Sequence, residues 1–182
     1  QIGFGVNKKG EIRFGIAAIK GMGTSAAESI VSEREKNGPY KDIYDFAERV
    51  DLSNVNRKAF ESLAYSGGFD SFGLQREQFF GVSGRDSVFL DTIVRYGQLF
   101  QTEKAEQQNS LFGGMDAVDV VHPIAPKAEK WPVIEKLNKE RELVSIYLSA
   151  HPLDEYSVVL NNMCNTHCSK IGRNADMTQL AK

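Results

Sequence analysis

The chain has 182 residues, 41% of them hydrophobic, enough to bury a core as one domain or two small ones. A formal net charge of -2 at pH 7 excludes a global electrostatic pull toward nucleic acid or an anionic membrane, so any such contact must come from a local site. No apolar stretch of about 18 residues occurs, so neither a signal peptide nor a membrane span is expected.

The opening residues, Gln1 to Phe14, alternate like a strand whose partners are missing, and read as the start of a piece of a longer chain. Ile2, Phe4 and Val6, then Ile12 and Phe14, flank the turn signal Asn7-Lys8-Lys9-Gly10, which predicts a β-hairpin with Gly10 at positive φ. A short apolar run, Ile16 to Ile19, leads to Gly21-Met22-Gly23. Beyond it, Ser25-Ala26-Ala27-Glu28 reads as a capping box for a helix that buries Ala27, Ile30 and Val31 and ends at Asn37-Gly38-Pro39. Asp42 is the expected cap of a second helix, whose Ile43, Phe46, Ala47 and Val50 form an apolar stripe at helical period. Asn56 caps a third, with Phe60, Leu63 and Ala64 on one face and Gly67-Gly68 as its stop.

Phe69 to Gly73 is a second tight connection, followed by helix from about Leu74. Phe89, Ile93, Tyr96 and Phe100 continue a helical stripe from about Asp86 to Gln107. The stretch from Gln107 to Pro126 loses that period and reads as a linker. Trp131-Pro132 opens a last long helix, with Ile134, Leu137, Val144 and Leu148 as its buried face and His151-Pro152 as its stop. The pattern is mainly α, with a short N-terminal β-hairpin and a long C-terminal helix.

The sharpest functional signal is the turn Gly21-Met22-Gly23 between two helices. Two glycines there let consecutive amides point outward at a helix start, forming an anion-binding nest, with Lys20, Thr24 and Ser25 as flanking donors. Backbone donors touch phosphates without reading bases, so such binding is independent of sequence. A plain sharp turn would use the same residues, and Gly21→Asp is the substitution expected to separate the two. A dinucleotide site matching G-x-G-x-x-A, with Asp42 downstream, would need a βαβ unit that the helical segments after it do not supply. Gly68, Asp70, Ser71 and Gly73 are the candidate residues of a second hairpin.

Ile12 to Gly23 resembles the entry to the helix-hairpin-helix region of the alpha subunit of bacterial replicative DNA polymerase III. Asn37 to Phe46, Val50-Asp51-Leu52, Val55-Asn56-Arg57 and Gly68 to Gly73 are similar to the segments that follow in that family. Glu140 to Asp154 resembles the helix and exit before its OB-fold. The resemblance implies a helix-hairpin-helix domain that holds double-stranded DNA behind the polymerase active site. The catalytic carboxylates and the divalent metal (Mg) of the parent polymerase would lie in parts other than this one. No catalytic residue and no cofactor is therefore expected here, and the scattered Asp and Glu are read as solvated helix faces.

Gln108-Asn109-Ser110-Leu111-Phe112 is similar to the peptide by which that subunit docks on the ring-shaped sliding clamp, with Gln108 as polar anchor and Leu111 and Phe112 as apolar plugs. Burying the two plugs would contribute about 3 to 6 kcal/mol before ordering costs. The other reading is that both fold back onto the chain's own core. Cys164, His167 and Cys168 make C-x-x-H-C, whose adjacent ligands do not suit one tetrahedral ion, so no metal site is expected. Two cysteines suit a reducing compartment, and a cytoplasmic location follows.

The resulting expectation divides the chain into 1–80 (end of the fingers and helix-hairpin-helix), 81–126 (long helix, linker and clamp peptide) and 127–182 (helix and connector toward an OB-fold). Its expected partners are duplex DNA, the sliding clamp and the rest of the polymerase holoenzyme, with Lys8 and Lys9 at the rim of the DNA site and no membrane. The rival is a structural connector without DNA contact.

Overall fold

The computed structural model describes residues 2–84, 87–109 and 120–163, with the side chains of 108 and 109 left aside. It is mainly helical. Strand β1 (Gly5–Val6) pairs antiparallel with β2 (Ile12–Arg13). Asn7 Oδ1 closes the turn by accepting the amides of Lys9 and Glu11, both at 2.9 Å, and Gly10 takes the expected positive φ of 83°. The paired region is far shorter than the alternation suggested. Phe4, Val6 and Ile12 stay exposed because no further strand among the described residues covers the ribbon, while Ile2 packs on the core and accepts the Ala17 amide at 3.1 Å.

A single 3-10 turn, Ile16–Ala18, enters the first glycine connection, and helix α1 (Thr24–Asn37) leaves it. The predicted capping box does not form: α1 begins two residues early, with Gly23 rather than Ser25 at the N-cap and no side-chain bond there. Asp42 caps α2 (Ile43–Arg49) by accepting from Tyr44 N and Asp45 N, and Asn56 caps α3 (Arg57–Ser66) by accepting from Ala59 N. After α3 the expected tight connection forms a 3-10 turn, Asp70–Phe72, and the expected helix from Leu74 is replaced by a second 3-10 turn, Arg76–Phe80, and by a hairpin of β3 (Val82–Ser83) and β4 (Ser87–Val88). Gly73 and Gly84, both at positive φ, interrupt any longer helix. Helix α4 (Phe89–Asn109) follows.

The predicted stripes of α1, α2 and α3 meet in one core. Phe46, Phe60, Phe69, Phe79 and Phe89 are each no more than 2% exposed, and burying each contributes on the order of 2 to 3 kcal/mol relative to exposure. The core rings meet edge-on or tilted, as Phe46 does Phe60 at 5.2 Å and Phe69 at 5.0 Å. Helix α4 approaches α2 closely at Gly97, where a Cβ would lie 2.6 Å from the Ala47 carbonyl oxygen. One turn on, Gln101 Nε2 donates to the Ala47 and Val50 carbonyls, satisfying acceptors that the end of α2 leaves open.

Residues 120–126, read from the sequence as linker, pack on this core. His122 stacks on Tyr44 at 4.3 Å, Tyr44 donates to the Pro123 carbonyl at 2.6 Å, and Gln78 donates to that of Pro126 at 3.0 Å. Helix α5 (Val133–Val144) starts after Pro132 and ends at Ser145, whose φ is 69°, well short of His151-Pro152. Leu137 and Val144 are buried, but Ile134 and Leu148 are 48% and 46% exposed. The early stop has a cause in Glu140: its Oε2 accepts the amides of Leu148 and Ser149 and turns the chain back. A last short helix, α6 (Ser157–Asn162), lies in the tail that the sequence pattern leaves unassigned.

The expectation that the acidic residues are solvated fails at two positions, Glu77 and Glu140, which are 3% and 1% exposed. Each is balanced by a cation, Lys136 for Glu77 at 3.2 Å and Arg76 for Glu140 at 3.2 Å, because a carboxylate leaves water only when its charge is compensated. Among the described residues, no helix is long and apolar enough to cross a membrane.

Candidate nucleic-acid interface

Gly21, at φ +88°, makes the reversal between the 3-10 turn and α1, and a Cβ there would lie 2.7 Å from Ser62 Oγ. Both facts demand glycine. Gly23, at φ -71°, has no such constraint: the nearest heavy atom to its ideal Cβ is Ser25 Oγ at 3.9 Å. Gly23, Thr24 and Ser25 are exposed. A 14-residue helix therefore starts at exposed residues without a side-chain cap, an arrangement with partial positive charge and spare donors.

The turn is held from below rather than from within. Lys20 N donates to the Leu143 carbonyl of α5 at 2.9 Å, and Ser62 Oγ of α3 donates to the Lys20 carbonyl at 3.1 Å. This leaves the Lys20 ammonium exposed beside a cleft of about 330 Å³ lined by Gly21, Lys58, Ser62 and Tyr65 and by Lys139 and Glu142 of α5. Burial raises the Tyr65 hydroxyl above its usual pKa, with the charge of Glu61 adding to it, so Tyr65 is a neutral donor there. Lys20, Gly21, Gly23, Thr24 and Ser25, the residues expected from the sequence, are contiguous in the structure. Lys58 and Lys139, not expected there, stand beside them. Lys58 carries a readable signal, standing one helical turn before the buried Ser62 on α3. Lys139 carries none, since only tertiary packing sets α5 against the turn.

At the second connection, Gly68, Asp70, Ser71 and Gly73 are exposed, but Arg76 occupies its inner side. Arg76 Nε and Nη2 donate to Asp70, Nη1 donates to the Tyr65 carbonyl and to Glu140, and Nη2 lies 2.2 Å from where a Cβ on Gly67 would be. The donor Nη1 thus joins the turn to α5. Desolvation alone would lower the pKa of Arg76, but its bonds and charge pairing with Asp70 and Glu140 raise it overall, and the guanidinium stays charged.

Leu111 and Phe112 of the clamp peptide lie outside the described residues, as do Cys164, His167 and Cys168; Gln108 falls in the last turn of α4 rather than in a loop. Among the described residues, no group of three or more His, Cys, Asp or Glu side chains is placed to hold a metal ion. The divalent metal implied by the resemblance thus finds no fitting donor set among them.

Residues 1–79 match a family model described as helix-hairpin-helix motif. The DNA polymerase III subunit alpha of Xylella fastidiosa (strain Temecula1) is 35% identical over 89% of this chain and 13% of its own length. That of Haemophilus influenzae is 35% identical over 94% of the chain and 14% of its own length, and that of Campylobacter jejuni 34% over 84% and 12%. The chain spans about an eighth of the length of these curated relatives. The match runs past the glycine turns and through α5, and with it the chain belongs to the family of bacterial DNA polymerase III alpha subunits, of which it carries the helix-hairpin-helix region.

Proposed function

We propose that this chain is the part of a bacterial replicative DNA polymerase that grips the backbone of duplex DNA without reading its sequence and that docks the sliding clamp. The observation that carries the DNA reading is the bare N-cap at Gly23, a solvent-facing helix start flanked by the exposed Lys20, Thr24 and Ser25. A phosphate oxygen there would accept from the leading amides and gain the helix-end charge without contacting a base. Gly68, Asp70, Ser71 and Gly73 enter only as a secondary contact, since the carboxylate of Asp70 repels phosphate and is committed to Arg76. In this reading residues 1–80 hold DNA, 81–126 carry the clamp peptide with Gln108, Leu111 and Phe112, and 127–182 lead toward the OB-fold. Nucleotidyl transfer and its divalent metal belong to the rest of the polymerase, with which the chain works in the cytoplasm.

Gly21→Asp does not test this cleanly, because any side chain at φ +88° against Ser62 also strains the fold. Gly23→Asp does. A carboxylate at that N-cap stabilises α1 while placing negative charge on the amides a phosphate would use. In a fluorescence-anisotropy titration of labelled duplex, the wild type should bind with a steep salt dependence and Gly23→Asp should lose binding while remaining folded. Equal binding by both would refute the phosphate site. For the clamp, Leu111→Ala with Phe112→Ala should abolish capture on immobilised sliding clamp. The connector reading is favoured by one observation, the bond from Lys20 N to the Leu143 carbonyl, which uses the turn to seat α5; a folded wild type that binds no duplex at low salt would establish it.

A further inference from the structure

The helix-hairpin-helix match ends at residue 79, yet the cleft beside Gly21 is closed by α5. Its walls carry three lysines from three elements: Lys20 before the turn, Lys58 on α3 and Lys139 on α5. Lys20 and Lys58 have no ion-pair partner among the described residues, and Lys58 Cε lies 3.3 Å from where a Cβ on Gly21 would be, so its stem lies directly over the turn. Lys139 is held in place by ring faces, its Nζ 4.6 Å from the centroid of Tyr65 and 4.7 Å from that of Trp131. It also lies 3.6 Å from Glu135. Two carboxylates share the cleft. Glu61 is paired with Arg57 at 2.8 Å, and Glu142, exposed at the α5 wall, is the one that opposes an anion there.

Resting on the DNA reading above, we infer that this cleft is a second phosphate site for the same duplex, with Lys58 and Lys139 as its cations, so that α5 belongs to the DNA grip. A lysine fixed on aromatic faces has already lost much of its side-chain freedom and gives up less entropy when it meets a phosphate. The neutral Tyr65 hydroxyl and Ser62 offer further polar groups in the same walls. The sign of the cleft follows from its lining: Lys20, Lys58 and Lys139 outnumber Glu61 and Glu142, which leaves one net positive charge.

The test uses the 182-residue chain, labelled duplex DNA and a salt series. Lys58→Met and Lys139→Met keep the apolar stems and remove one charge each. Each should weaken binding about fivefold to tenfold near 0.1 M salt and reduce the slope of log affinity against log salt by about 0.9, the signature of one lost phosphate contact. Lys139→Arg should restore the slope, and Glu142→Gln should tighten binding. A Lys139→Met protein that unfolds is judged by Lys58→Met and Glu142→Gln, which touch no ring. If the wild type binds and Gly23→Asp does not, but the slope is unchanged in the lysine variants, the second site is wrong and the hairpin reading stands. If the wild type itself fails to bind, both fall.

Discussion

Two glycine turns in this chain look alike as text and differ in what fills them. Gly21-Met22-Gly23 is supported from behind by Ser62 and Leu143, and beside its outer face stand an uncapped helix start and the exposed Lys20 and Lys58. Gly67-Gly68, with the turn behind it, has its inner side filled by the chain's own guanidinium, Arg76, with Asp70 and Glu140 as counter-charges. The difference teaches that a glycine turn after a helix is only a place where backbone can be approached closely. Whether a ligand or another side chain makes the approach depends on which cation is buried next to it.

The strongest way to break the contrast is to empty the second turn. Glu140→Ala leaves a buried Arg76 short of one counter-charge and removes the acceptor of the Leu148 and Ser149 amides, so urea denaturation should show a loss of about 3 to 5 kcal/mol. A loss below 1 kcal/mol would mean the network does not fasten α5. Gly67→Ala should cost about 2 kcal/mol, from a φ of +83° and the collision with Arg76, whereas Gly23→Ala, whose Cβ would meet only Ser25 Oγ at 3.9 Å, should cost about 1 kcal/mol or less, the loss of a glycine N-cap. Ser62→Ala removes the bond to the Lys20 carbonyl and should cost about 1 kcal/mol; it should also relieve part of the penalty of Gly21→Ala, a coupling that a double-mutant cycle reads directly.

The smallest effect concerns the far end of α1, which presents the first turn. Burial would raise the Glu33 carboxyl, but bonds from Asn37 and Arg49 and the charge of Arg49 outweigh it and hold its pKa below 4.5. A depressed folded pKa gives a contribution that is full above the ordinary value and lost as pH falls through the folded one. Acid titration of stability should therefore show a loss below pH 4.5 that Glu33→Gln removes, worth less than about 1 kcal/mol for a partly exposed pair.

Local features are readable in the order of the residues. Asp42 and Asn56 cap their helices as predicted, since a short polar side chain before an apolar stripe has one good use for its oxygen. The stripes of α1, α2 and α3 are buried as read, because helical period fixes which residues share a face. Gly21 was legible as a turn, and the family kinship rested on segments in order along the chain. Where two local signals competed the reading failed, as at Ser25, whose capping box lost to a helix start at Thr24 that leaves Gly23 bare.

Which charges are buried, and what stands beside the turn, depends on packing between distant segments. Glu77 and Glu140 lie on helical segments with many charged residues and look solvated in sequence, but each faces a cation from a distant segment, and a carboxylate's burial depends on that partner rather than on its neighbours. The same packing stopped α5 at Ser145, docked residues 120–126 on α2 and brought Lys139 to Gly21. These are contacts between residues far apart in the chain, and no local period encodes them.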